Sequence, residues 1–316
     1  MYRIGVDLGG TNIAVGVLND ELKIIGRGNL KTNLPRKADP IFDDIAAACR
    51  MAAEDAGIEL TQVASIGIGS PGSINKELGL IEYSNNFDFY NVPAREMLQQ
   101  RLGELPVYID NDANCAALGE AVAGAGNGAK NFIAITLGTG VGSGIVVDGK
   151  LVTGVNYAAG EMGHMVICAG GERCNCGRRG CWECYSSATA LIRQTKDAMM
   201  HDAGSLMWKI ADGALFNVNG RTAFEAMRQG DAMAKDVVDN YLYYLTVGIT
   251  NVINIFQPEI VCIGGGVGNE GESLLRPLRQ LVSCKRYSMR SEKQTEIVVA
   301  KLGNDAGIYG AALLEE

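Results

Sequence analysis

The feature that most constrains this chain is a pattern that occurs twice. Ile4-Gly5-Val6-Asp7-Leu8 is followed by the turn Gly9-Gly10-Thr11 and a second apolar run, Asn12 to Leu18. Ile133 to Leu137, the turn Gly138-Thr139-Gly140 and the run Val141 to Val147 repeat that arrangement. Short apolar runs bounded by glycine and threonine read as strands joined by tight turns. A repeat of one such unit at long spacing reads as an internal duplication. A chain of 316 residues exceeds what one core ordinarily uses, so the pattern predicts two similar lobes. Each would offer a glycine turn to a shared ligand.

The rest of the chain supplies alternating elements. Helical spacing of apolar residues is present at Ile41 to Ala56 with Gly57 as a stop, at Ala113 to Ala123, and at Asp236 to Phe256. Strand-like runs lie at Val63 to Ile68, Val107 to Ile109 and Ile260 to Ile263. Alternation of strand and helix predicts an α/β class. No linker-like composition marks a boundary, so pattern alone divides the chain near Asn111, into an N-terminal lobe over 1–111 and a C-terminal lobe over 112–302.

Charge and cysteine content narrow the environment. A net charge of −8 argues against a broad nucleic-acid or membrane surface, so an anionic ligand needs locally aimed donors. The uncharged run Tyr241 to Phe256 is shorter than the roughly 20 apolar residues of a membrane span and contains Asn251 and Asn254. Met1-Tyr2-Arg3 leads directly into the first strand with no signal-like segment, and nine cysteines are expected as reduced thiols. Cytoplasmic placement is the expectation.

Several glycine motifs have to be weighed against one another. Gly67-Ile68-Gly69-Ser70-Pro71-Gly72 matches a dinucleotide fingerprint, but no helical period follows it, and a pyrophosphate site needs a helix N-terminus there. Asp7-Leu8-Gly9-Gly10-Thr11 differs. A carboxylate ends a strand, two glycines free backbone N–H groups, and a hydroxyl follows, a set suited to phosphate and Mg²⁺. Taken alone it could be an ordinary hairpin turn. The second turn, Gly138-Thr139-Gly140, favours a phosphate chain held by both, and Gly264-Gly265-Gly266 adds a close-approach surface suited to a flat base. Asp110-Asn111-Asp112-Ala113-Asn114 lies where a strand gives way to a helix. Either aspartate could cap that helix, or one could serve as general base for a substrate hydroxyl.

His164 with Cys174, Cys176 and Cys181 makes a Cys₃His set, the donor complement of a closed tetrahedral zinc site. Gly177 and Gly180 let a short loop curl around the ion. Cys168 and Cys184 are the competing donors. Four protein ligands leave no open position, so the ion would be structural.

Taken together, Asp7-x-Gly-Gly-Thr, Asn111-Asp112-Ala-Asn-Cys-Ala-Ala-Leu-Gly-Glu120, Leu-Gly138-Thr-Gly-Val-Gly-Ser-Gly, Glu161-Met-Gly-His164, Cys174-x-Cys-Gly-x-x-Gly-Cys-x-Glu183 and Gly-Gly-Gly266-Val resemble the ROK family of sugar kinases and sugar-responsive repressors. The resemblance runs from residue 4 to Ala312. It implies two ribonuclease H-like lobes in an actin-like, hexokinase-type ATPase fold with a cleft between them. It also implies ATP with Mg²⁺, and transfer of the γ-phosphate to a hexose hydroxyl. Asp112 matches the family's catalytic base. Asn111, Glu161, His164 and Glu183 match its sugar ligands, with Asp112 beside them. Asn85 is a further candidate, although the family often has Pro-Asn-Leu where this chain has Ser84-Asn85-Asn86, so Asn85 and Asn86 compete. Asp7, Gly9, Gly10, Thr11, Gly138, Thr139, Gly140, Gly265 and Gly266 would serve the nucleotide. The tail Asp305 to Leu313 resembles a closing helix, about 303–316, that rejoins the first lobe.

These observations lead to an ATP-dependent hexose kinase, with glucose phosphorylated at its 6-hydroxyl as the first expectation. Fructose, mannose, allose and N-acetylhexosamines are the alternatives. A sugar-sensing ROK regulator lacking its DNA-binding module is the other alternative; such regulators carry a helix-turn-helix, and with three residues before the first strand and a net charge of −8 no vehicle for DNA binding is visible. Expected partners are the hexose and ATP, without nucleic acid or membrane, in a homodimer or homotetramer.

Overall fold

The computed structural model describes residues 1–315; Glu316, part of the expected closing segment, lies outside the described residues. Along the chain the elements are β1 (Tyr2–Leu8), β2 (Asn12–Leu18), β3 (Ile24–Lys31), α1 (Ala38–Asp55), β4 (Val63–Ser70), β5 (Ser73–Asn75), β6 (Leu80–Ser84), β7 (Phe89–Val92), α2 (Ala94–Leu102), β8 (Val107–Asn111) and α3 (Asp112–Val122). Then come β9 (Phe132–Leu137), β10 (Val141–Val147), β11 (Lys150–Leu151), α4 (Glu183–Ser186), α5 (Ala188–His201), α6 (Leu206–Ile210), α7 (Thr222–Arg228), α8 (Ala232–Phe256), β12 (Ile260–Gly264), α9 (Gly265–Gly268), α10 (Glu272–Ser283), β13 (Glu296–Val299) and α11 (Ala306–Ala312).

The expected duplication is visible in strand order. The first sheet runs β3-β2-β1-β4-β8 and the second β11-β10-β9-β12-β13: third, second, first, fourth, fifth in each. In the first sheet β1 is antiparallel to β2 and β2 to β3, whereas β4 is parallel to both β1 and β8. In the second, β10 and β11 are antiparallel and β12 and β13 parallel.

The chain forms two compact units, and they do not divide where the pattern placed the boundary. One holds Met1–Ile133, Gly144–Gly160 and the chain from Lys301 onward; the other holds Ala134–Ser143 and Glu161–Ala300. Helix α3, assigned from sequence to the C-terminal lobe, stays with the first unit because the returning helix α11 packs against it. A Cβ on Gly310 would stand 1.6 Å from the Cys115 carbonyl oxygen, and one on Gly119 would stand 2.3 Å from that of Ala306. The buried Glu120 carboxylate fastens the same joint, accepting from the N–H groups of Lys301 (3.1 Å) and Leu302 (2.7 Å).

In the first unit, Ile4, Val6, Leu8, Ile13, Val15 and Val17 form a core with Ile41, Phe42 and Ile45 of α1. The apolar stripe of α1 recurs at the 3–4-residue spacing read from sequence, and Gly57, at φ +67°, turns the chain out of the helix. The Gly67–Gly72 segment closes β4 and leads into β5 instead of a helix, so the dinucleotide fingerprint has no helix N-terminus behind it. In the second unit, α8 buries Val237, Tyr241, Leu245, Ile249 and Val252, and Asp231 caps its N-terminus through Ala234 N–H.

Candidate active site

In the first unit the ends of β1 and β8 bring Asp7 and Asp112 near each other. Burial, reinforced by the negative charge of Asp112, pushes the Asp7 carboxyl up to about 6. Burial also raises Asp112 and Asp110 above the usual carboxylate range. Two half-buried acids that repel one another suit a divalent cation, which would relieve the repulsion. The turn after β1 is built to stay open. Gly9 N–H donates to the Asn12 carbonyl (2.9 Å), the Thr32 hydroxyl donates to the Gly9 carbonyl (2.6 Å), and Thr32 N–H donates to the Thr11 carbonyl (3.0 Å). Gly10 and Thr11 are exposed at its tip, and a Cβ on Gly10 would meet nothing nearer than Leu34 at 3.9 Å.

The strand-to-helix junction divides its carboxylates by task. Asn111 caps α3, its Oδ1 accepting from Ala113 N–H (2.9 Å) and Asn114 N–H (3.3 Å), while its Nδ2 donates to the Gly72 carbonyl (3.1 Å). Asp110, only 4% exposed, accepts from Asn111 N–H (2.7 Å) and Asn114 Nδ2 (2.8 Å). Both aspartates were possible caps or bases in the sequence. The structure commits Asp110 to internal bonds and leaves Asp112 Oδ1 only its neighbour Ala113 N–H, at 2.9 Å. Asn85 follows β6 and accepts from the Tyr83 hydroxyl (3.2 Å); it and Asn86 are both exposed. A cavity of about 710 Å³ in this unit is lined by Lys76, Tyr108, Leu118, Leu314 and Asp110, the aspartate held by internal bonds, and by none of the residues matched to the sugar or the nucleotide.

In the second unit the turn between β9 and β10 meets the Glu161-Met-Gly-His segment. Met162 N–H donates to Ser143 Oγ (3.2 Å), and Gly163 lies so close to β10 that a Cβ would stand 2.1 Å from the Val141 carbonyl oxygen. Glu161 is exposed just before this turn, and His164 is half-buried at its end. Thr139 is exposed at the tip of the β9–β10 turn, and Gly138 has open space around it. Gly140 does not: its missing Cβ would lie 2.5 Å from Glu183 Oε2. Of the later glycines, Gly266 is open, whereas Gly265, at φ +80°, packs against the backbone of Leu137. The three-glycine surface therefore includes a packing position as well as an open one.

His164, Cys174, Cys176 and Cys181 converge, with one donor atom from each within 4.8 Å of the others. Cys174 Sγ lies 3.6 Å from His164 Nδ1, and Cys176 Sγ lies 3.6 Å from Cys181 Sγ. Tetrahedral zinc with bonds of about 2.3 Å to sulfur places neighbouring donors about 3.8 Å apart, so the set fits that ion. Cys184 instead donates to the Arg173 carbonyl (3.4 Å), and Cys168 lies beside Gly171, outside the four-donor group. Burial pushes the Cys174 and Cys181 thiols up, while a backbone N–H at Arg178 lowers Cys176; a metal entering here must displace protons. Glu183 borders the cluster, with Oε1 at 3.2 Å from Cys174 Sγ and 3.7 Å from His164 Nδ1.

The family description "ROK family" matches residues 3–316. The chain belongs to the ROK family. A glucokinase of Thermotoga maritima is 40% identical over 311 residues, 98% of this chain and 95% of that protein. The crystal structure of a ROK family glucokinase from Streptomyces griseus, in complex with glucose and AMPPNP, matches with a TM-score of 0.80 at 36% identity, covering 99% of this chain and 98% of that one. A putative xylose repressor of Caldicellulosiruptor is 30% identical over 98% of this chain and 77% of its own length. The fold of this ROK chain is the α/β, actin-like, hexokinase-type ATPase fold.

Sequence reading missed the supports behind the ROK motifs. Trp182, between Cys181 and Glu183, is fully buried, its indole N–H donating to the Tyr244 carbonyl (3.2 Å) and its ring lying where a Cβ on Gly248 would be. Ser143 and Tyr83 likewise hold Met162 and Asn85. A lone tryptophan or serine carries no periodic signal, so nothing in the sequence points to these contacts.

Proposed function

We propose that this chain is an ATP-dependent sugar kinase that transfers the γ-phosphoryl group of ATP to glucose, giving glucose 6-phosphate and ADP. The observation that carries the reading is Asp112, an aspartate left available at a strand-to-helix junction of a ROK chain. The glucokinase relatives support glucose over the other hexoses.

Asn111, Glu161, His164 and Glu183 would hold the sugar hydroxyls, with Asn85 contributing from the turn after β6. Asp112 accepts the proton of the attacking hydroxyl as the new P–O bond forms. Its raised proton affinity suits that task. The backbone N–H groups of Gly10, Thr11, Thr139 and Gly140 would serve the phosphate oxygens, where donors fixed in advance stabilise developing charge, while Gly9 and Gly138, whose own N–H groups donate to the Asn12 and Gly140 carbonyls, would shape the two turns. Gly265 and Gly266 border the base. Asp7 would hold Mg²⁺, which supplies positive charge to the phosphate oxygens when bound. His164, Cys174, Cys176 and Cys181 would hold a structural Zn²⁺, fixing the orientation of His164 so that Nδ1 faces the metal and Nε2 is left for a hydroxyl.

A homodimer or homotetramer belongs to this reading, supported by exposed Tyr243, Ile255 and Phe256 on α8 and tested by light scattering. A cytoplasmic setting, where ATP is at hand, belongs to it too; all nine cysteines are free thiols. The deciding experiment is ADP release over a panel of glucose, mannose, fructose, allose and N-acetylhexosamines, with Asp112→Asn alongside. Turnover highest on glucose and reduced at least about 100-fold in the variant, with glucose still bound, supports the reading. Absence of ADP release with any sugar, together with sugar binding, would make the chain a sugar sensor like the repressors it resembles.

A further inference from the structure

Glu183 stands in two places at once. The reading above makes it a sugar ligand, yet its carboxylate lies on the phosphate turn: Oε2 accepts from Val141 N–H (3.4 Å) and occupies the space beside Gly140. With the carboxylate in this position a Cβ on Gly140 would stand 2.5 Å from that oxygen, so the Glu183 side chain and anything added to the turn compete for one space.

The backbones of the two segments are tied together. Ala188 N–H donates to the Gly138 carbonyl (2.8 Å), and Ser187 N–H donates to that of Glu183 (3.2 Å). Trp182 anchors the preceding residue to α8 through Tyr244. With the main chain held on both sides, the Glu183 side chain is the part that can move, by a change of rotamer. In its observed position it occupies one N–H of the turn and sets a negative charge where triphosphate oxygens would approach. Carboxylate and phosphate repel each other and compete for the same donor.

We propose that Glu183 makes nucleotide binding conditional on sugar: without sugar its carboxylate lies on the Gly140-Val141 turn and opposes the triphosphate, and a sugar hydroxyl that draws it away frees the turn. This rests on the sugar-kinase reading and deepens it, because it explains how such an enzyme selects a sugar over water as acceptor. In the suppressed side reaction, water attacks the γ-phosphorus, the bond to the β-bridging oxygen breaks, and ADP, inorganic phosphate and a proton are released. Glu183 lowers that rate by keeping ATP from binding productively when no sugar is present.

The test is calorimetric titration of the zinc-loaded protein with Mg²⁺ and AMPPNP, with and without saturating glucose, on wild type, Glu183→Gln and Glu183→Asp. Wild type should bind AMPPNP at least about tenfold more tightly with glucose, and glucose should gain the same factor from AMPPNP, as linkage requires. Glu183→Gln keeps the shape and removes the charge, so its sugar-free affinity should rise to within about threefold of the glucose-bound wild type, with faster phosphate release from ATP alone. Glu183→Asp, one methylene shorter and drawn back from Val141, should fall between. Sugar-free AMPPNP affinity unchanged in both variants overturns the proposal. That comparison involves no sugar, so it still decides the role of Glu183 if wild type binds no glucose, a result that would instead count against glucose as substrate.

Discussion

Replacing Asp7 with asparagine should make the protein more stable and less able to bind nucleotide. Asp7 titrates near 6 in the folded chain against 3.8 for a free side chain, because burial and the Asp112 charge both oppose ionisation. A carboxyl whose folded value is raised holds its proton more tightly when folded. Its ionisation therefore costs stability, and the cost appears as pH climbs from 3.8 through about 6. Linkage puts that cost below about 1 kcal/mol at pH 4 and at roughly 3 kcal/mol at pH 7. Asparagine cannot ionise and is nearly isosteric. With no magnesium added, Asp7→Asn should unfold at a temperature about 6–12 °C above wild type at pH 7 and within about 2 °C of it at pH 4, taking about 2–4 °C per kcal/mol for a unit of this size. Differential scanning fluorimetry across that pH range, checked by circular dichroism, reads the effect. Mg²⁺ with AMPPNP should then stabilise wild type and not the variant. A variant less stable than wild type at pH 7, or a gap independent of pH, would refute the picture of two repelling acids awaiting a cation. Stability given up at a functional site is the general expectation this instance would join.

Other substitutions probe other joints. Gly140→Ala should raise the Michaelis constant for sugar in steady-state assays, because its Cβ would displace Glu183, and that for ATP, because the added methyl would itself crowd the phosphate turn; Gly10→Ala, with open space around it, should leave the sugar constant within about twofold. Cys176→Ala should lose zinc by elemental analysis and weaken glucose binding by calorimetry, since His164 belongs to the same cluster, whereas zinc loss with glucose affinity intact would make the metal a remote staple. Gly310→Ala should destabilise the first unit by about 2–4 kcal/mol in urea unfolding, because a methyl group cannot fit 1.6 Å from the Cys115 carbonyl oxygen.

Much of the candidate site was legible because its motifs are local. The Cys174-x-Cys-x₄-Cys loop and the Asp110-to-Asn114 junction draw on neighbours a few residues away, and the structure brings each together as its spacing suggests. Gly140 shows the limit. By position it reads as a phosphate turn, but its lack of a side chain also makes room for Glu183, 43 residues on, and only packing reveals that second demand. Gly265 is similar: in sequence it matches its neighbour Gly266, whereas in space it lies against Leu137.

By itself the sequence determined the duplicated hairpins, the α/β alternation, the Cys₃His donor set and the ROK resemblance. All of these are written in short-range patterns of polarity and glycine, which backbone sterics and side-chain chemistry translate directly. Tertiary structure decided where the units divide, which aspartate of Asp110 and Asp112 is consumed by internal bonds, and which way Glu183 points. The sequence placed the boundary at Asn111 because a strand ends there. The chain ignores that signal because α11, nearly two hundred residues later, returns to pack on α3 through Gly119 and Gly310, and a contact between distant segments leaves no local pattern for the sequence to display.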